Sequence, residues 1–203
     1  KNVLPTVKPI VQTQKIIEYK NPKKTPMNTE RISIPTEGVR IPNAGLVLLN
    51  NYFLMLLERL NLVADKSFKT TEDQLNAVHY FQYVVTGLTQ TEESLLTLNK
   101  ILSGLSPDAP IRESIEMTEN EKNLIDGLIK SAIGYWSAIG DTSVNGFRGN
   151  WLVREGILRE TEERWELTVE KRAYDILLMK SPFSFSIIKL PWMQKPLHVT
   201  WAY

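Results

Sequence analysis

The residues able to do chemistry in this chain are few. His79 and His198 are the only histidines, and neither has a metal-like partner at a useful spacing. His79 lies in the apolar stretch Ala77–Val85, where a core or interface histidine is the ordinary reading. His198 falls on the polar side of an alternating run and is expected at the surface. No H-E-x-x-H, G-x-S-x-G, phosphate-binding loop or G-x-G-x-x-G occurs. With no cysteine, disulfides, thiolate metal sites and cysteine nucleophiles are excluded. The carboxylates Glu160, Glu162 and Glu163, beside Arg159 and Arg164, have the look of an acid/base pair. A mixed-charge, solvated turn explains them better. Asp126 and Asp175 stand alone on helical patterns and are expected to face water. Neither catalysis nor a cofactor or metal is expected.

Binding residues are more prominent. Of the five tryptophans, Trp151, Trp165, Trp192 and Trp201 fall within the last 53 residues, close to Phe183, Phe185, Met193 and Tyr203. Part of this group must be core. Aromatics and Met are also enriched at protein interfaces, and Trp192, presented by Pro191, is the best single anchor, with Met193 and Trp201 beside it. A second set is Lys15, Lys20, Lys23 and Lys24. These lysines could meet phosphates, but Tyr19 is the only aromatic near them, so base-stacking residues are missing. Docking on an acidic protein surface is the better reading, and no nucleic acid is expected.

The elements that must position these residues follow from composition and periodicity. The 203 residues suit one domain, or one domain with an appendage. Residues 1–43 carry eight Lys/Arg against three Glu, a net of +5; the remainder has a net of −4. Six of the eleven prolines lie in the same segment, which disfavours helix there. The reading is an extended basic arm over residues 1–42, with strand-like pieces at Val7–Ile17 and Arg31–Ile34. It is either laid on a neighbour or a free linker. No basic and apolar leader opens the chain. Its first residue is not Met, so residue 1 is expected to be a boundary within a longer protein. The longest uncharged run, between Arg40 and Glu58, is interrupted by Pro42, Asn43, Asn50 and Asn51. It is short for a membrane span, and no membrane insertion by this segment is expected.

From Asn43 the pattern becomes helical. A helix capped by Asn43 is expected to run to about Leu60, apolar nearly all round and hence buried. A second follows Thr70 or Thr71, with Leu75, Val78, Phe81, Val85 and Leu88 inward. A third runs from about Thr91 to Leu102, ended by Gly104, and a loop spans Ser106–Ile115. Thr118 with Glu121 forms a capping box for a fourth helix whose inner face is Leu124, Leu128, Ala132, Tyr135 and Trp136. A fifth is expected over Val144–Glu155, closed by Gly156. The period then becomes two: Ile157–Glu160, a turn at Glu162–Glu163, and Trp165–Val169 read as a hairpin. A short helix at about Arg172–Met179 and alternating runs at Phe183–Ile187 and Leu197–Ala202 follow. The fold class is α+β, mostly α: a helical bundle over 43–203 with a small C-terminal antiparallel sheet and an extended N-terminal arm.

Several segments, in order, resemble one family: NAGLVLL (Asn43–Leu49), LLERLNL (Leu56–Leu62), NAVHYFQYVVTG (Asn76–Gly87), LTLNKILSGL (Leu96–Leu105), WLVREGIL (Trp151–Leu158), WELTVE (Trp165–Glu170) and SFSIIKLPWM (Ser184–Met193). They are similar to the closing segments of the tape measure proteins of contractile injection systems, phage-tail-like particles that drive a tube through a target membrane. The chain departs from the family at Asn50-Asn51-Tyr52-Phe53, where relatives often carry His-Pro-Phe, and at Ser181-Pro182-Phe183, where they often carry Leu-Pro-Trp. Loss of that histidine argues against a catalytic base there. The resemblance implies a structural, non-enzymatic role in fixing tube length. This compact part would be an end domain that anchors the ruler to the tube-initiation complex or terminates it. It implies partners among tube, spike or baseplate proteins and other copies of the chain, in three- or six-fold arrangement. It also implies assembly in the cytoplasm of the producing cell followed by residence inside the particle. The alternative is an adaptor or chaperone-like binding module of the same particle.

Overall fold

The computed structural model describes residues 34–202. The expected strand-like piece at Val7–Ile17, most of Arg31–Ile34, and the four arm lysines lie outside them. Within them the fold is α+β. Short helices and a five-stranded mixed sheet close on a main hydrophobic core, with a small second cluster of Val78, Leu96 and Ile111, and a two-stranded hairpin stands beside them.

The chain enters through strand β1, Val39–Ile41, and then the buried apolar run that reads as a single α-helix. Its first part, Ala44–Tyr52, is instead a 3₁₀ helix, which passes into α1, Phe53–Arg59. Crowding accounts for the tighter winding. A Cβ on Gly45 would sit 1.8 Å from the Trp151 carbonyl oxygen, and every residue from Ala44 to Asn50 is buried. A 3₁₀ helix is narrower and rises further per residue, so it threads a space that an α-helix would overfill. Asn61, at φ 63°, ends α1 in the left-handed region. A hairpin then follows that periodicity does not reveal: β2 (Val63–Ala64) and β3 (Ser67–Phe68) pair antiparallel through Asp65 and Lys66, both at positive φ.

Helix α2, Thr71–Thr86, starts on the Thr70 side chain, which accepts from the Asp73 N–H, and stops at Gly87 with φ 72°. Its residues Ala77–Val85 are buried. Leu88, expected inward, lies beyond this stop and is 59 % exposed. The expected third helix divides into a 3₁₀ turn, Glu93–Leu95, and α3, Thr97–Leu102. The capping box of Thr118 and Glu121 opens α4, Glu119–Tyr135. Leu128, Ala132 and Trp136 face inward there and Leu124 is half-buried, but Tyr135 is 72 % exposed. Helix α5, Val144–Phe147, winds into a π turn over Arg148–Leu152 and ends there. Gly156 therefore closes no helix. It opens strand β4, where a Cβ would lie 2.8 Å from the Ala44 Cβ and 2.9 Å from the Thr168 carbonyl oxygen.

The sheet order is β1–β4–β5–β7–β6, with β4 Gly156–Glu160, β5 Trp165–Val169, β6 Ile187–Ile188 and β7 Leu197–Trp201. The β4–β5 hairpin stands as the alternation implies. The sheet is mixed, however, not wholly antiparallel: β5 and β7 run parallel, Trp165 opposite Leu197 and Val169 opposite Trp201. Parallel neighbours need a crossover. The chain between them supplies one, through a 3₁₀ helix at Ala173–Lys180 and then β6, which pairs antiparallel on the far side of β7. Of the alternating run at Phe183–Ile187, only its last residue enters that strand pair. Val39–Ile41, within the segment read as arm, form the other sheet edge against β4.

Candidate partner-binding surface

The family-marking segments converge on two buried polar centres. In the first, Asn43 does not cap its helix. Its Nδ2 donates to Gln82 Oε1 at 3.0 Å and to Asn99 Oδ1 at 2.6 Å. Asn99 Nδ2 in turn donates to Gln82 Oε1 and to the Val78 carbonyl. One amide triad thus locks the 3₁₀ helix, α2 and α3 together. Buried amides of this kind lose much if one member is removed, since the others are left unpaired.

In the second, Arg154 and Asp175 form a fully buried ion pair, Nη1 to Oδ1 at 2.9 Å and Nη2 to Oδ2 at 2.6 Å. Trp201 Nε1 and the Arg172 N–H also donate to this carboxylate. Arg154 Nη2 donates to the Glu170 carbonyl, and the guanidinium lies against the rings of Trp201 and Tyr174. Burial acts to raise the Asp175 pKa. The hydrogen bonds from Arg154, Arg172 and Trp201, with the Arg154 charge, outweigh it and hold the carboxyl below its ordinary value. Asp175 therefore does not face water, contrary to its reading as a lone helical acid. The capping-type bond to Arg172 turns it inward. Asp126 stays about one-third exposed, and its Oδ1 accepts from Arg148 Nη2 at 2.9 Å. Arg148 also donates to the Val84 and Tyr83 carbonyls at the C-terminal end of α2, where a cation is favoured.

The proposed anchors are placed as follows. Trp136, Trp151, Trp165 and Trp201 are buried, the first two in a tilted contact with centroids 4.4 Å apart. Met193 is buried, its sulfur accepting from the Leu190 N–H. Trp192 is partly exposed. Its Nε1 donates to the Leu102 carbonyl at 2.8 Å, its ring meets Phe68 at 4.7 Å, and its backbone packs on Gly104. It clasps the sheet loop to the end of α3 and to the β2–β3 hairpin. Trp192 and Met193 are thus adjacent at this clasp, while Trp201 sits in the Asp175 centre. His79 is buried in α2, and burial holds its pKa below the ordinary value, against a backbone hydrogen bond at Arg112. His198 is half-buried on β7, and Glu160 pairs with Lys195 at 2.8 Å beside the hairpin turn.

Among the described residues, no group of His, Asp and Glu could hold a metal ion, and no helix is long and apolar enough to cross a membrane. Sequence reasoning missed Arg154, Asp175, Asn43 and Gln82 as organising residues. Their one local signal is polarity inside strongly apolar segments.

Comparison with known proteins gives one family. The family described as contractile injection system tape measure protein matches residues 6–201. No curated protein and no solved structure matches the chain.

Proposed function

The chain belongs to the contractile injection system tape measure protein family, and from that premise we propose that its folded part is a structural end-piece of the tape measure rather than the ruler. One observation supports this above others. The longest described helix, α4, has 17 residues, or ~26 Å at 1.5 Å per residue, and it is folded against a closed core. In this reading the domain docks to the tube end or baseplate complex and helps fix where polymerisation stops. The end-piece acts by holding partners, not by catalysis. It works inside the particle after assembly in the producing cell. Its partners are tube, spike or baseplate proteins and further copies of the chain. Residues 1–42 supply a basic arm whose last part, Val39–Ile41, is an edge strand of the body formed by residues 43–203. Trp192, with its partly exposed ring, is the aromatic proposed for contact; Met193 and Trp201 hold its loop and the last strand in place.

The test is an insertion. A helical segment of about 20 residues placed at the exposed Gly140–Asp141 loop adds ~30 Å to a ruler. An end-piece leaves tube length unchanged by electron microscopy. Tubes lengthened in proportion overturn the proposal.

A further inference from the structure

Helices α1 and α4 flank an open groove of about 480 Å³. Tyr52, Met55 and Arg59 line it from the α1 side, and Asn123, Gly127 and Tyr135 from α4. Three features give the groove its character. Its apolar rims are held out to solvent: Met55 is 36 % exposed and Tyr135 72 %. Gly127 leaves the α4 backbone uncovered, since a Cβ there would meet nothing within 4 Å. Ser131 gives its hydroxyl to the Gly127 carbonyl at 2.9 Å, so it asks nothing of an occupant. Arg59 is the only charged residue lining the groove, and among the described residues it has no acidic partner.

We propose that this groove receives an amphipathic helix of a partner protein, with apolar side chains over Gly127 and a carboxylate on Arg59. The open helix backbone permits close approach, and helix-in-groove docking is a common use of such a surface. From Asn123 to Tyr135 the groove runs ~18 Å, which matches about three helical turns. Charge decides between occupants. A second copy presenting the same face brings another concave surface and another Arg59, and supplies neither a ridge nor an acid. An acid-bearing apolar helix supplies both. This proposal does not depend on the end-piece reading.

A Cβ at Gly127 meets nothing within 4 Å and leucine is a better helix former than glycine, so Gly127→Leu is expected to fill the groove and keep the fold, which its Tm checks. The probes are two fluorescein-labelled amphipathic peptides of about 14 residues with one leucine stripe, ending in Glu-Glu or in Lys-Lys. Fluorescence anisotropy is measured on the full chain. The acidic peptide is expected to bind about tenfold more tightly than the basic one. Gly127→Leu should remove that binding with Tm retained, and Arg59→Glu should reverse the preference. Equal binding of both peptides, or binding indifferent to Gly127→Leu, overturns the proposal. A dimer in sedimentation that Gly127→Leu disperses also overturns it, by assigning the groove to a second copy.

Discussion

Arg154 and Asp175 stand 21 residues apart in the chain and share two hydrogen bonds, at 2.9 and 2.6 Å, with neither side chain exposed to water. Removing one partner of such a pair leaves the other charge buried and uncompensated, at a cost of about 3–5 kcal/mol. Asp175→Asn keeps the shape and removes the charge. Urea unfolding should therefore show a loss in that range at pH 7. The folded pKa of Asp175 lies below its ordinary value of 3.8. Its contribution is fully present above that value and is lost as pH falls through the lower, folded pKa. The acid unfolding step below pH 3.8 should shrink in Asp175→Asn. An unchanged acid limb would show that other carboxylates govern it.

Two glycines should respond in opposite directions to the same substitution. Gly45→Ala drives a methyl group to within 1.8 Å of the Trp151 carbonyl oxygen. That oxygen belongs to backbone and cannot swing aside, so the cost should reach or exceed the usual overpacking range of about 1–3 kcal/mol. Gly127→Ala meets open space and removes a flexible residue from a helix. It should stabilise by about 0.5–1 kcal/mol. Thermal melts of both variants against the parent check the pair of signs.

What was legible in the sequence was local. The capping box of Thr118 and Glu121, the Thr70 start of α2 and the alternation of Trp165–Val169 each depend on residues a few positions apart. The same residues make the same bonds in the fold. The parallel pairing of β5 with β7 depends on a crossover of more than twenty residues and leaves no periodic trace. Nor does the placement of Val39–Ile41 beside β4. The close approach of Gly45, in the 3₁₀ helix, to the Trp151 backbone over a hundred residues away leaves no local trace either. For the candidate site, Pro191-Trp192 was recognisable as a presented aromatic. Its partners, Leu102 and Phe68, come from two other elements. Asp175 read as a surface acid because its partner Arg154 is likewise remote in sequence.

Trp192 separates ring packing from hydrogen bonding. Trp192→Ala loses the contact with Phe68 and the bond to the Leu102 carbonyl. Because the ring is only partly buried, the loss should be about 2–4 kcal/mol, at or below the range for a large core aromatic. Trp192→Phe keeps an aromatic ring and loses the indole N–H, and should cost about 1 kcal/mol. Chemical unfolding measures both. If Trp192→Phe is as damaging as Trp192→Ala, the bond to Leu102 is the stronger half of the clasp. If neither variant changes stability, the clasp contributes nothing to the fold.

His79 gives the fold a pH dependence nearer neutrality. It is buried in α2, its Nε2 has no hydrogen-bond partner among the described residues, and burial holds its pKa below the ordinary value of 6.5. The charge of Arg112 acts in the same direction as burial, while a backbone hydrogen bond at Arg112 opposes both. The unfolded chain therefore takes up a proton at a higher pH than the folded one. Stability is at its full value above pH 6.5 and falls as pH drops from 6.5 towards the folded pKa, by at most about 1.4 kcal/mol per pH unit for one proton. Urea midpoints taken from pH 8 to pH 5 should decline in the parent. In His79→Leu, which removes the unpaired nitrogen but also the hydrogen bond at the Arg112 backbone, the decline should flatten over that range, on top of a pH-independent loss of about 1–3 kcal/mol. The comparison reads the difference in slope, so any uniform loss from imperfect packing in the variant drops out. A variant that loses stability on acidification as steeply as the parent would assign the effect to other groups and leave His79 as an inert member of the core.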